Sequence, residues 1–448
     1  MSADDIVNIQ IVLQSKAPTA AGFGRPMFFA FHTHFMGRSK LYSASTGLAD
    51  MLTDGFLATD KVFHDVQTLL SQKPAPRDFT IGRRLTASTQ TVNLIPTVTT
   101  QGFVYSGEID DVSWSYTVLA AATVATISTA LAALFSGLGV GITASGASTT
   151  WAACTSNVAG KVHRFENTVP ELRFKDVTTD PGITSDLTTL LASDSDWFGM
   201  ILDSQSKAEV LAAASVLETA RKVMAYATAD YEAKDGASTV DVLFTAKSSA
   251  FFNSLGFWYH EVGSSAAAGA WGVLLTSVVG SEVLAHQEII LVTPSDKAAN
   301  GSRYLSDAEA AAVVAKNGNT YTTLGAQGDI FPGKVAGGDF ISNVRSIHFM
   351  HARIQEMYIG KLQSGGYKMT NAGISKANSD LLSLLNSWTK TPFTILDGDP
   401  EFAPTVTTPT IADLSPSQKA QGLLPDIEFT GRLQSGFILL EVRGSVTV

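Results

Sequence analysis

WFGMILDSQSKAEVLAAASVLETARKVMAYAT, residues 197–228, carries the reading of the fold. Trp197 to Leu202 form a short apolar run between Asp196 and Asp203, which reads as a buried strand. Ser206 and Glu209 have the spacing of a capping box, so a helix is expected from there to Arg221. Val223 to Thr228 form a second apolar run. Strand, helix and strand at this spacing make a βαβ unit in a largely parallel sheet.

The pattern continues in both directions. Residues 240–252 read as helix, 257–261 as strand and 266–279 as helix. Ser306 and Glu309 form another capping box, and Gly318 stops that helix. Upstream, 27–34 is an apolar strand, 48–56 and 60–70 look helical, and 78–82 is a strand after the break at Pro74 and Pro76. In the last third, Ile341, Val344, Ile347, Ile354, Tyr358 and Leu362 recur at helical spacing, as do Ile374, Leu381, Leu384, Leu385 and Trp388. A strand follows near 405–408. Ser415 caps a short helix that begins with Pro416. Ile427, Phe429 and Leu433 open a closing hairpin.

Residues 89–182 have a different texture, dominated by Thr, Val, Ser and Gly. Strand-like runs occur at 91–99, 102–105 and 113–119. From Val112 to Gly160 there is no Asp, Glu, Lys or Arg. Residues 118–135 have the length of a membrane span. They are mostly Ala and Thr, and Gly137, Gly139, Gly141 and Gly146 break the next stretch into short pieces. A helix near 124–135 and two short strands is the better reading. The expected organisation is an N-terminal strand and linker at 1–20, a mixed α/β core from 21–88 and 183–448, and an inserted β-rich domain at 89–182.

The two ends alternate with period two. Val7, Ile9, Ile11 and Leu13 interleave with Asn8, Gln10 and Gln14; Leu440, Val442, Val446 and Val448 interleave with Glu441, Arg443, Ser445 and Thr447. Such strands either close the chain's own sheet or pair with a neighbour such as a second copy of the chain.

A chain of 448 residues has room for two or three domains. Charged residues are only 16% and hydrophobic ones 45%, a low charge density that fits a surface covered by partners. The net charge of -10 does not favour nucleic acid, which needs clustered Lys and Arg. Cys154 is the only cysteine, so no internal disulfide can form. Asp4 and Asp5 stand where a secretory signal would be basic, so none is expected.

Motifs that carry chemistry are missing. His32 and His34 share a strand face, and His348 and His351 have ligand spacing on a helix, but no Cys or carboxylate cluster completes either pair in sequence. Asp194-Ser195-Asp196 and Asp397-Gly398-Asp399 resemble fragments of calcium loops without the remaining ligands, so turn or cap roles are expected. There is no Walker-type loop, no G-x-S-x-G and no H-E-x-x-H. No catalytic residue, metal or cofactor is expected.

The C-terminal third carries a resemblance. GGDFISNVRSIHFMHARIQE (337–356), YKMTNAGI (367–374) and VTTPTIADLSPSQKAQGLLPDIEFTGRLQSGFILLEVRGSVTV (406–448) resemble, in that order, the contractile tail sheath proteins of myovirus-type bacteriophages. VNIQIVLQSKAPTAAGFG (7–24), KPAPRDFTIGRR (73–84) and DSDWFGMILDSQSKAEVLAAA (194–214) are similar to other segments of that family. The resemblance implies a structural, non-enzymatic virion protein whose subunits stack as hexameric rings around a tail tube. Contraction would drive the tube through the host envelope during genome ejection. It implies a sheath-type core, an outer domain at 89–182, and terminal strands exchanged between subunits. The exchanged residues would be Val7, Ile9, Ile11 and Leu13, and Leu440, Val442, Val446 and Val448 within an arm at 437–448. The helix at 341–362 would face the tube with Arg345, Arg353 and Lys361. Implied partners are further copies of the chain, the tail tube protein, the baseplate and the tail terminator, with no nucleic acid and no membrane insertion. The implied location is the virion tail, after assembly in the host cytoplasm. The alternatives are another virion component (tube, capsid or baseplate) and an α/β enzyme with dispersed catalytic residues.

Overall fold

The computed structural model describes residues 23–146, 150–263, 265–298, 301–434 and 436. The terminal strands expected around Val7 to Leu13 and Leu440 to Val448 lie outside the described residues.

The chain opens with β1 (Pro26–Phe31), β2 (Ser39–Ser43), α1 (Gly47–Asp54), α2 (Lys61–Ser71) and β3 (Asp78–Arg84). A β-rich layer follows: β4 (Thr91–Pro96), β5 (Val104–Ile109), β6 (Val112–Thr117), α3 (Val124–Gly137), β7 (Ile142–Ser145), β8 (Ala152–Ser156), β9 (Phe165–Asn167) and β10 (Leu172–Asp176). The chain then alternates through α4 (Ile183–Ser193), β11 (Gly199–Leu202), α5 (Lys207–Ala220), β12 (Val223–Thr228), α6 (Val242–Ser248), β13 (Ser254–Trp258), α7 (Ala266–Thr276) and α8 (Asp307–Ala315). It closes this part with the hairpin β14 (Asn319–Leu324) and β15 (Gln327–Phe331).

Eight of these strands form one sheet in the order β15-β14-β13-β12-β11-β1-β3-β2. The six inner strands are parallel, and β2 and β15 pair antiparallel at the two edges. β11, β12 and β13 are buried at every position and β1 at nearly every one, as strands covered by helices on both faces must be. On one face Met27, Phe29, Met200, Leu202 and Met224 pack against Leu187, Leu190, Val210 and Leu217 of α4 and α5. On the other, the indole of Trp271 in α7 donates to the Met200 carbonyl at 2.8 Å. The sequence reading of a mixed α/β fold with βαβ units matches this sheet.

The β-rich layer has its own core. A four-stranded sheet (β10-β4-β8-β7) and a three-stranded one (β6-β5-β9) enclose α3. Ile127, Leu131 and Phe135 of α3 are buried among Val92, Leu94, Tyr105 and Trp114. The uncharged stretch is thus a short amphipathic helix followed by strands; among the described residues no helix is long and apolar enough to cross a membrane.

Contacts divide the chain into two compact units, Ala21–Thr276 with Leu284–Ile341, and Ser277–Val283 with Ser342–Val448. The second unit holds α9 (Ile341–Gln363, whose first residue belongs to the other unit), α10 (Asn371–Ser387), the two-residue strands β16 (Thr389–Lys390) and β17 (Phe393–Thr394), β18 (Thr405–Thr407), α11 (Pro416–Gln421) and β19 (Glu428–Thr430). β16 pairs with β17 and β18 with β19, each as a two-stranded ribbon. This cut falls inside residues 183–448, which the sequence reading took as one span.

Candidate assembly surfaces

In an open α/β sheet, ligands bind beyond the C-terminal ends of the strands, where strand order reverses. Here that point lies between β1 and β11. An ion cluster occupies it. Arg84, the last residue of β3, is 1% exposed and bonds Asp203 just past β11 at 3.0 Å and Glu209 in the first turn of α5. Asp203 also accepts the Phe31 backbone N–H at 3.1 Å. Burial alone would lower the Arg84 pKa; the charges of Asp203 and Glu209 outweigh it, and the net direction is up. Burial raises the Glu209 carboxyl against the opposing pull of Arg84.

This cluster corrects one local expectation. Ser206 stands at the N-cap of α5, but its side chain makes no cap bond. It donates to the Thr178 carbonyl at 2.6 Å, and Glu209 serves Arg84. The box at Ser306 and Glu309 does form.

The remaining sequence candidates resolve individually. His32 is buried with its ring 5.8 Å from that of His34, and burial, helped by the charges of His34 and Arg83, pushes its pKa down to about 3. Among the described residues no three His, Cys, Asp or Glu side chains group to hold a metal. His348 and His351 are buried in α9, not on a solvated face. Asp196 pairs with Arg25 at 2.7 Å, Asp194 accepts the Asp196 N–H, and Asp399 caps the turn at Glu401, so both aspartate pairs serve turns and caps.

The structure separates the three basic residues of α9. Arg345 is 2% exposed and is bonded within its unit to Glu282 at 3.1 Å and to the Ser277 carbonyl at 3.0 Å. Burial lowers its pKa against the pull of Glu282. It ties the segment Ser277–Val283 to α9 and presents no charge outward, which corrects its place among outward-facing residues. Successive members of the set are eight positions apart, and eight residues turn a helix by about 80° beyond two full turns. Residues 345 and 361 therefore point to nearly opposite sides. Arg353 pairs with Glu356 and lies over the Phe349 ring at 5.0 Å. Lys361 reaches Asp380 of α10 at 3.1 Å and keeps 43% of its side chain exposed. These two remain at the surface of the unit.

The β18–β19 ribbon is an incomplete sheet. Thr405, Thr407, Glu428 and Thr430 are exposed, while Val406 and Phe429 are half-buried. The Val406 carbonyl accepts from Asn378 of α10 at 3.1 Å. A two-stranded sheet is marginal on its own in water. After β19 the chain runs beside residues 395–397: Asp397 donates to the Arg432 carbonyl at 2.8 Å, and Gln434 to the Ile395 carbonyl at 2.9 Å.

No protein-family model matches the sequence, and no curated protein sequence matches it. Solved structures do match. A chain of the anti-feeding prophage (AFP) helical sheath in contracted state aligns over 98% of both chains at 10% identity, with a TM-score of 0.53. A chain of the PVC sheath complex of an extracellular contractile injection system, also contracted, aligns over 98% of this chain and 97% of its own at 9% identity and a TM-score of 0.52. A chain of the six-fold symmetrised AFP baseplate aligns over 99% and 98% at 8% identity and a TM-score of 0.53. At such identities the likeness is one of fold, and the fold is that of contractile sheath proteins.

Proposed function

We propose that this chain is a contractile sheath subunit, a structural protein that polymerises with copies of itself into a helical array around a tube and contracts to drive that tube through an envelope. The observation that carries the reading is the end-to-end agreement of fold with two contractile sheath chains, over 98% of this one in both cases. A bacteriophage tail is the assembly to which the sequence resemblance points. Its tube, baseplate and terminator proteins are the corresponding partners.

Residues 7–13 and 440–448 act as exchanged strands in this reading. The support is physical. Both segments alternate with period two, and the β18–β19 ribbon offers strand edges that a neighbour can extend through main-chain hydrogen bonds. The linker expected within residues 1–20 lets rigid bodies rotate between two arrays while those bonds persist. The β-rich layer at 89–182 serves as the outer domain, and Arg353 and Lys361 are the remaining tube-facing candidates on α9. The work of contraction comes from a better interface in the contracted array, with no nucleotide consumed.

Truncation tests the reading. Chains lacking residues 1–14 or 440–448 should fold with an unchanged far-UV spectrum and fail to polymerise. Normal sheaths from both truncations in electron micrographs would refute strand exchange.

A further inference from the structure

Three glutamates distant in sequence meet in one cross-strand row. β5 pairs antiparallel with β9 and sets Glu108 opposite Glu166. On the other side of β9, Phe165 exchanges both backbone hydrogen bonds with Val262, at 3.0 and 3.1 Å. Carrying that register one residue further sets Glu166 opposite Glu261. Such a position has no ladder bonds of its own, and there cross-strand side chains come closest. Like charges placed directly opposite destabilise a sheet.

The row lies where the β-rich layer is stitched to the segment after β13. Phe165 belongs to the core of the layer, and Val262 is one of two residues from beyond 89–182 that join that core. The other charged groups there do not balance three carboxylates. Arg164 stands 3.9 Å from Glu166 but is bonded to Asp111. His64 of α2 lies 4.0 Å from Asp111, and His260 lies 3.1 Å from Glu261. The phenols of Tyr259 and Tyr304 complete the surroundings. His64, Arg164, Glu166, Tyr259 and Glu261 line a common cavity of about 230 Å³.

We propose that this row is a proton-dependent clasp: Glu166 holds a proton opposite Glu261 while the β-rich layer is seated, and losing it loosens the stitch at Phe165 and Val262. The direction of the Glu166 titration agrees. Burial, then the charge of Glu261, pushes its carboxyl up to about 7 from an ordinary value of 4.5. A carboxyl raised in the folded state contributes stability that is complete below the ordinary value and is lost as pH rises through the raised one. The clasp is therefore closed in mild acid and weakened in mild alkali.

Hydrogen exchange of the full-length chain tests this, read on peptides containing Phe165 and Val262 between pH 5.5 and 8.5 and corrected for the intrinsic exchange rate. Wild type should open about tenfold more at the alkaline end, with solvent screening of the half-exposed Glu166 keeping the rise below the full linkage value. Glu166→Gln should hold both peptides at the acid-side protection across the range. Glu261→Gln removes only the second cause, so it should reduce the rise and move it to lower pH, and it serves if the first variant fails to fold. A flat wild-type profile, or an equal rise in a folded Gln variant, would overturn the proposal.

Discussion

The eight-stranded sheet and the β18–β19 ribbon are built on opposite plans. Each inner strand of the sheet is paired on both sides, its edges are turned by antiparallel strands, and its strand-end crevice is filled by Arg84, Asp203 and Glu209. The ribbon has two strands of three residues each, mostly exposed. One is a finished body and the other an unfinished surface. A sheath subunit of the kind proposed, moving as a rigid piece while staying linked to its neighbours, needs both. The stability of the chain should therefore reside in the first and its assembly in the second.

Damage to the sheet gives the largest expected change in stability. Arg84→Met leaves two buried carboxylates without their cation and should lower unfolding stability by about 3–5 kcal/mol, read as a fall in the urea midpoint. A midpoint near wild type would mean that the cluster does not hold the strand ends together. In the ribbon, Phe429→Ser should cost the soluble chain only about 1 kcal/mol, because the side chain is half-buried, yet reduce polymer yield severely. Sedimentation of polymer beside a melting curve separates the two effects; equal loss in both would erase the contrast. The smallest stability effect belongs to α9. Lys361→Glu together with Arg353→Glu should change stability by about 1 kcal/mol or less, since both ion pairs are partly exposed. Polymers formed on tubes should decrease, while tube-free polymers persist. An unchanged tube-bound fraction would remove the two residues from that interface.

The central strands β1, β11 and β12 were legible because they are apolar at nearly every position and the helix α5 carries a start signal. The signals were still mixed in meaning. Ser206 and Glu209 announced α5 at the right place although neither makes the expected cap, because a buried arginine from β3 claims the glutamate. The hairpin β14–β15 gave no such signal. NTYTTLGAQGDIF carries threonines and glycines where an apolar alternation would stand, and Asn319 is held inside by the backbone of Gly333 and Lys334, each at 2.8 Å. β5 was read too short because Ser106, Gly107 and Glu108 interrupt its apolar run, although Tyr105, Gly107 and Ile109 are its buried positions. The surfaces were less legible still. Arg345 looked like Arg353 and Lys361 until the helical rotation placed it inward on Glu282. The glutamate row needed two strand registers that no local pattern encodes.

If the chain is a sheath subunit joined to its neighbours through its ends, removing one end must abolish assembly without unfolding the subunit. Negative-stain electron microscopy of the purified full-length chain and of the chain ending at residue 439 makes that comparison. Hollow helical sheaths are expected from the full chain, and folded, unassembled subunits from the truncated one. Indistinguishable sheaths from both would contradict joining through the C-terminal end, and no sheaths from the full chain, with or without its tube, would contradict the sheath reading.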